Sequence, residues 1–172
     1  MRRGYVQVYT GHGKGKTTAS LGLALRAAGA GLRVLICQFM KKGEYSEHRA
    51  LRRLDDLVSV RQYGRGRFVC GTPDAADIAA ARKGLAEAAS MIRSGSYDLV
   101  ILDEVNVAVH YGLISPEDLL GLIREKPKAL ELVLTGRHAH ERIMEEADLV
   151  TEMREVKHYY GQGVRARRGI EK

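Results

Sequence analysis

Short apolar, β-rich runs alternate along this chain with segments of helical pattern. That alternation is the signature of a parallel α/β sheet, since a crossover helix must return the chain between strands. Residues 5–9 read as a first strand and 16–28 as a helix, stopped by Gly29 and Gly31. Residues 33–38 and 58–63 read as strands, with a helix expected over 46–54. Thr72 is placed to cap a long helix with Pro73 at its first position. This helix should run to Ser94 and stop at Gly95. Its alanines (Ala75, Ala76, Ala79, Ala80, Ala81) suggest close packing on the sheet. Residues 99–102 are wholly apolar, as at a sheet centre. Ser115, Pro116 and Asp118 open another helix. A fifth strand over 131–134, a helix over 139–147 and a sixth strand over 149–154 complete the pattern. The tail from Glu155 is polar, Gly-rich and basic.

A chain of 172 residues with no repeat, low-complexity tract or long linker suits a single domain, residues 1–172. Its sheet of about six strands should be mostly parallel and flanked by helices. The formal charge of +7 fits either simple solubility or an anionic partner, a polyphosphate or a nucleic acid. Small basic groups stand at Lys41 and Lys42, at Arg61, Arg65 and Arg67, and at Arg165, Arg167 and Arg168. No nucleic-acid recognition motif accompanies them. Cys37 and Cys70 are isolated, which excludes a CxxC redox or zinc site and suggests a reducing compartment. No secretory signal and no apolar run of about 18 residues occurs, so a cytoplasmic protein free of the membrane is expected.

The chemistry concentrates first at Gly11, His12, Gly13, Lys14, Gly15, Lys16, Thr17 and Thr18, which follow a strand and open a helix. In that context the backbone N–H groups of a glycine-rich turn converge on phosphate oxygens, and the helix N-terminus adds partial positive charge. Lys16 would neutralise phosphate, and Thr17 would offer its hydroxyl to a phosphate-bound Mg2+. Thr10 stands where the common pattern has glycine; Gly11 and Gly13 can supply the flexibility. The second concentration is Asp103 and Glu104, which end the central apolar strand where ligands bind in such sheets. One carboxylate there can hold a cation and the other can support it. From the residues alone, Glu104 is either a metal ligand or a base that activates water. Residues 63–72 form the least regular interior stretch and the candidate functional loop.

GHGKGKTT at 11–18, LDE at 102–104, ADIAAA at 76–81, LTGRHAH at 134–140 and VKHYYGQGVRARRGI at 156–170 together resemble the P-loop class of corrinoid adenosyltransferases, over nearly the whole chain. The resemblance implies a RecA-like α/β fold, a homodimer, ATP and a reduced corrinoid as substrates, Mg2+ or Mn2+, and an external, flavin-type reductase. It implies that Co(I) attacks the 5′ carbon of ATP and that triphosphate leaves. By resemblance Thr17 and Glu104 hold the metal, Asp103 supports them, and Arg26 and Arg137 contact the nucleotide. His12 stands where Asn is common. Some relatives carry a Phe and Trp pair that displaces the lower cobalt ligand; Arg67 and Val69 stand there, so Phe68, aided by Val69 and Tyr63, is expected to take part of that role. The chain also starts almost at its first strand, without the N-terminal extension some relatives use to cover the site.

Three other readings compete. A RecA-like ATPase acting on nucleic acid explains the phosphate loop, the acidic strand end and the charge, but not the tail. A small-molecule kinase such as thymidine kinase would carry a zinc-binding cysteine group. A non-catalytic ATP-sensing or corrinoid carrier differs from the enzyme only in turnover.

Overall fold

A computed structural model describes residues 3–65 and 73–171. Its six strands are β1 (Val6–Thr10), β2 (Val34–Phe39), β3 (Val58–Tyr63), β4 (Leu99–Asp103), β5 (Glu131–Thr135) and β6 (Leu149–Glu152). They form one sheet in the order β3-β2-β4-β5-β1-β6, every pairing parallel. The helices are α1 (Lys16–Gly29), α2 (Ser46–Leu51), α3 (Ala75–Arg93), α4 (Val105–His110), α5 (Pro116–Glu125) and α6 (Glu141–Glu146), with 3-10 turns at Arg52–Leu54 and Tyr159–Gln162.

The central strands are buried on both faces, so their side chains can be apolar without alternation. β2 and β4 are buried throughout. On one face Ala24, Ala27 and Ala28 of α1 pack on Val34, Ile36, Ile101 and Val133, together with Leu51 of α2. On the other, Leu85 and Ala88 of α3, Leu119 and Ile123 of α5, and Ile143 of α6 cover Val8, Leu35, Leu102 and Leu134. Burying each large apolar side chain of this kind contributes about 1.5–3 kcal/mol. Among the described residues, no helix is long and apolar enough to cross a membrane.

Three local expectations are corrected. The long helix starts at Ala75, not Pro73, and its cap is Asp74 rather than Thr72, which lies outside the described residues. Asp77 N donates to Asp74 Oδ1 (2.8 Å) and Asp74 N donates to Asp77 Oδ2 (3.3 Å), a reciprocal pair that satisfies two free donors at once. Of the alanines expected to pack, Ala75, Ala76 and Ala79 are exposed and Ala81 is buried, because the inward face runs Asp77, Ala81, Gly84, Leu85, Ala88, Ile92. Gly84 lies so close to Tyr63 that a Cβ there would collide with the ring. Finally, α4 is an additional helix, with too few residues to show a helical period in the sequence.

Candidate active site

The C-terminal ends of β1, β4 and β5 lie side by side, and each carries part of a cleft of about 860 Å³. From β1 comes the phosphate loop. Gly15, at φ 121°, turns the chain into α1 with no side-chain cap, so the first helical N–H groups stay available to an anion. Gly13 answers a different demand: its N–H donates to Met153 O (2.7 Å), and a Cβ there would meet the Met153 and Arg154 backbone within 2.8 Å. The segment after β6 therefore crosses directly over the loop. Lys16 Nζ donates to Gly11 O and Gly13 O (2.7 Å each), reaching back into the loop from the first position of α1. Burial, then the Arg137 charge, hold its pKa below the ordinary lysine value, with Glu104 opposing.

From β4 come two carboxylates with different fates. Asp103 is 1% exposed and accepts four hydrogen bonds. Thr17 Oγ1 (2.9 Å) and Thr135 Oγ1 (2.7 Å) reach Oδ1; Lys41 Nζ (2.7 Å) and Gln38 Nε2 (3.3 Å) reach Oδ2. Its lone-pair sites are thereby filled by protein. Glu104 adopts the left-handed conformation, φ 62°, which costs a non-glycine residue about 1–2 kcal/mol. Its N–H is held by Thr135 Oγ1 (3.1 Å), and Glu104 lines the cleft. Burial, then the neighbouring Asp103 charge, push its pKa above the ordinary value, against Lys41, Lys16 and Arg137.

Lys41 is placed with equal care. Met40 before it is left-handed (φ 58°), and Gly64 approaches so closely that a Cβ would lie 2.6 Å from Lys41 N. Burial works against the Lys41 charge, yet the Asp103 carboxylate outweighs it and holds the pKa above the usual lysine value. The network continues outward. Gln38 Oε1 accepts from Gln62 Nε2 (3.1 Å) and from His48 Nε2 (2.7 Å), the tautomer that leaves Nδ1 to accept Tyr45 N (3.2 Å). Asp103 is thus tied to the Tyr45–Glu47 rim of the cleft.

β5 leads into Gly136, Arg137 and His138, the last left-handed at φ 57°. Arg137 and His138 line the cleft. The opposite wall is the tail: His158, Gly169, Ile170 and Glu171. Lys14 Nζ donates to Ile170 O (3.3 Å), and Glu171 gathers Tyr159 OH and the Arg167 side chain and N–H. Arg167 and Tyr159 hold the Glu171 carboxyl down at about 2.

A phosphate loop facing a saturated aspartate, a free glutamate and an arginine suits many nucleotide reactions. The choice among them comes from the whole chain. A model of the ATP:corrinoid adenosyltransferase BtuR/CobO/CobP family matches residues 2–171. The chain belongs to that family. A corrinoid adenosyltransferase from Sinorhizobium is 37% identical, over 98% of this chain and 80% of its own length. Those of Pseudomonas aeruginosa and Escherichia coli K12 are 37% and 38% identical, covering 98% of this chain and 84% and 86% of theirs.

In this adenosyltransferase the cleft brings together Gly13, Lys14, Gly15, Lys16, Thr17, Thr18, Glu104 and Arg137. Gly11 and His12 belong to the loop but do not line the cleft. Asp103 lies beneath it. Arg26 does not line the cleft: it is exposed in the last turn of α1, ten residues and so about 15 Å along the helix from Lys16. Its charge is felt instead at Tyr9. Phe68 and Val69 lie outside the described residues, and Tyr63 is a buried core residue. Sequence reasoning missed Lys41 as a partner of Asp103, although the Lys41–Lys42 pair was visible, and it missed Thr135, Gln38 and the clustering of His12, His110 and His138.

Proposed function

We propose that this adenosyltransferase binds ATP with its triphosphate in the loop at residues 11–18, and that a Co(I) corrinoid attacks C5′ of the ribose. The new Co–C bond takes both electrons from cobalt, and the C5′–O bond breaks with its pair remaining on the triphosphate. Since Co(I) is itself a strong nucleophile, no base is needed; the protein positions C5′ and stabilises charge on the departing group. The observation that carries this reading is the unequal pair: Asp103 is saturated by four donors, while Glu104 lines the cleft with Lys16 and Arg137. That set is suited to a polyanion.

The oxygen donors also fit Mg2+ or Mn2+. Thr17 Oγ1 gives its hydrogen to Asp103 and keeps a lone pair, so Thr17 and Glu104 are the residues that would hold the cation beside the triphosphate. The bound cation would offset charge on the triphosphate. Asp103 orients the Thr17 hydroxyl and, with Thr135, sets the Glu104 backbone. An external, flavin-type reductase would supply the electrons for cobalt; Cys37, buried with its thiol pushed up to about 12, offers no accessible thiolate. Leu149 and Val150, 44% and 43% exposed on the edge strand β6, support a homodimer. A cytoplasmic single-domain enzyme of cobalamin biosynthesis completes the reading, its physiological corrinoid being cobalamin or a precursor.

An anaerobic assay with chemically reduced cob(I)alamin, ATP and Mg2+ tests it, with Lys16→Ala as control. Light-sensitive adenosylcobalamin and free triphosphate should appear in equal amounts and vanish in the variant. ADP and phosphate with an unchanged corrinoid spectrum would overturn the reading in favour of an ATPase.

A further inference from the structure

The reaction just described makes no use of three histidines gathered beside the phosphate loop. His138, lining the cleft, stacks on His110 from the end of α4, with ring centroids 4.2 Å apart and planes 21° from parallel. His12, from the phosphate loop, meets His138 edge-on at 5.0 Å and 77°. The rings thus come from three elements and stand one in the cleft and two in contact with it. The charged and titratable groups around His138 are His12 from the loop, Lys16 from α1, His110 from α4, and Arg137 beside it. Tyr111 adds its ring against His110 at 5.3 Å. Glu104 and Glu171, carboxylates that share the cleft, are not among these groups. Cationic and titratable neighbours this close disfavour protonation of His138 unless an anion is present.

We propose that His12, His110 and His138 form a proton-linked anion subsite for the triphosphate group, in which the cluster takes up a proton from solvent as the polyphosphate binds and returns it when the polyphosphate leaves. The proposal rests on the triphosphate being held in this cleft. In the free enzyme, burial first, then His110, His12, Arg137 and Lys16, hold the His138 pKa below the ordinary histidine value. A polyanion reverses the sign of the field at the ring, so protonation and binding favour each other. The same proton would offset the negative charge that appears on the triphosphate when C5′–O breaks. Ring N–H groups then serve as charged hydrogen-bond donors that depend on pH, unlike Lys16 and Arg137.

The test uses inorganic triphosphate without divalent cation or corrinoid. Calorimetric titrations at pH 6.5 in buffers of different ionisation enthalpy give the protons taken up per ligand bound. The ligand's own protonation is common to all variants, so the difference between proteins isolates the cluster. The wild type should take up roughly half a proton more than His138→Asn, since the midpoint of an ordinary histidine lies near this pH. Its affinity should rise between pH 8 and pH 6 by up to about tenfold more than the variant's, the change that one unit of pKa shift produces. Equal uptake by both proteins, with binding intact, overturns the proposal. If the variant fails to fold, imidazole NMR titrations of the wild type decide: a pKa that rises on adding triphosphate supports the subsite, and unmoved titrations overturn it. Failure of the wild type to bind triphosphate or ATP at all would sink the underlying site assignment, whereas binding without a proton difference sinks the subsite alone.

Discussion

The floor and the tail wall of the cleft are built in opposite ways. The floor is a buried carboxylate with four donors drawn from α1, β2, the second residue after β2, and β5. The wall is an exposed segment held by Lys14 to a carbonyl and by the Tyr159–Arg167–Glu171 cluster. Charges at a surface are screened and contribute little, whereas a buried charge stripped of its partner is costly. The floor should therefore behave as a fixed template and the wall as a piece that can shift to admit a large substrate.

Four substitutions can break or sharpen that contrast. The largest effect on function belongs to Lys16→Ala, which removes the charge at the centre of the loop; kcat/KM should fall by about 100-fold or more, with the fold intact by circular dichroism. Next comes Asp103→Ala, which strands Lys41 in the floor. Urea unfolding should show a loss of about 3–5 kcal/mol, the usual result of removing one partner of a buried pair. A loss near zero would mean that the floor is no template.

Glu104→Gln should separate function from stability. Cation affinity, followed by the Mg2+ dependence of turnover, should fall by roughly the 10–100-fold typical of changes around a metal ligand. Stability should move the other way. A carboxyl whose pKa is raised on folding contributes stability that is fully present below its unfolded pKa and is lost as pH rises through the folded one. Gln stays neutral, so the variant should melt higher than wild type at pH 7, with the advantage fading toward pH 4.5.

The smallest effect is expected in the wall. Glu171→Gln should leave the global melting temperature unchanged and speed hydrogen exchange in the tail. The Glu171 carboxyl is held down at about 2, so its contribution is present above the unfolded value of 4.5 and lost as pH falls toward 2. Protection of the tail amides, taken relative to their intrinsic exchange rates, should fall in the wild type over that window and stay flat in the variant. A global loss of stability on this substitution would erase the distinction between floor and wall.

The parts legible in the sequence are those set by local pattern. β3 falls at the residues expected and the other strands lie within a residue or two of expectation. Burial on both faces writes the apolar runs of β2 and β4, whereas β1 and β3 are legible from alternating β-branched and aromatic residues. The phosphate loop and the Asp103–Glu104 pair were readable because a strand–turn–helix motif and a strand end are local features. Lys41 was seen only as a basic residue; its role depends on a left-handed Met40 and on Gly64 just past the next strand, which no short window contains. Arg26 shows the converse: it follows the loop in sequence, but the helix carries it away from the cleft. The histidine cluster needs three elements to converge, so none of its members differs locally from an ordinary surface histidine.

The hydrogen bond from Gly13 to Met153 has a consequence for how the chain folds. It joins the first strand–helix turn to the segment beyond the last strand, and β1 itself sits between β5 and β6. Contacts so distant in sequence close late, after the loop entropy between them has been overcome. A fragment ending before β5 would contain the entire phosphate-loop motif and neither of the strands that flank it. During synthesis the nucleotide site would be among the last features to appear, so ATP capture by this enzyme reports a finished fold.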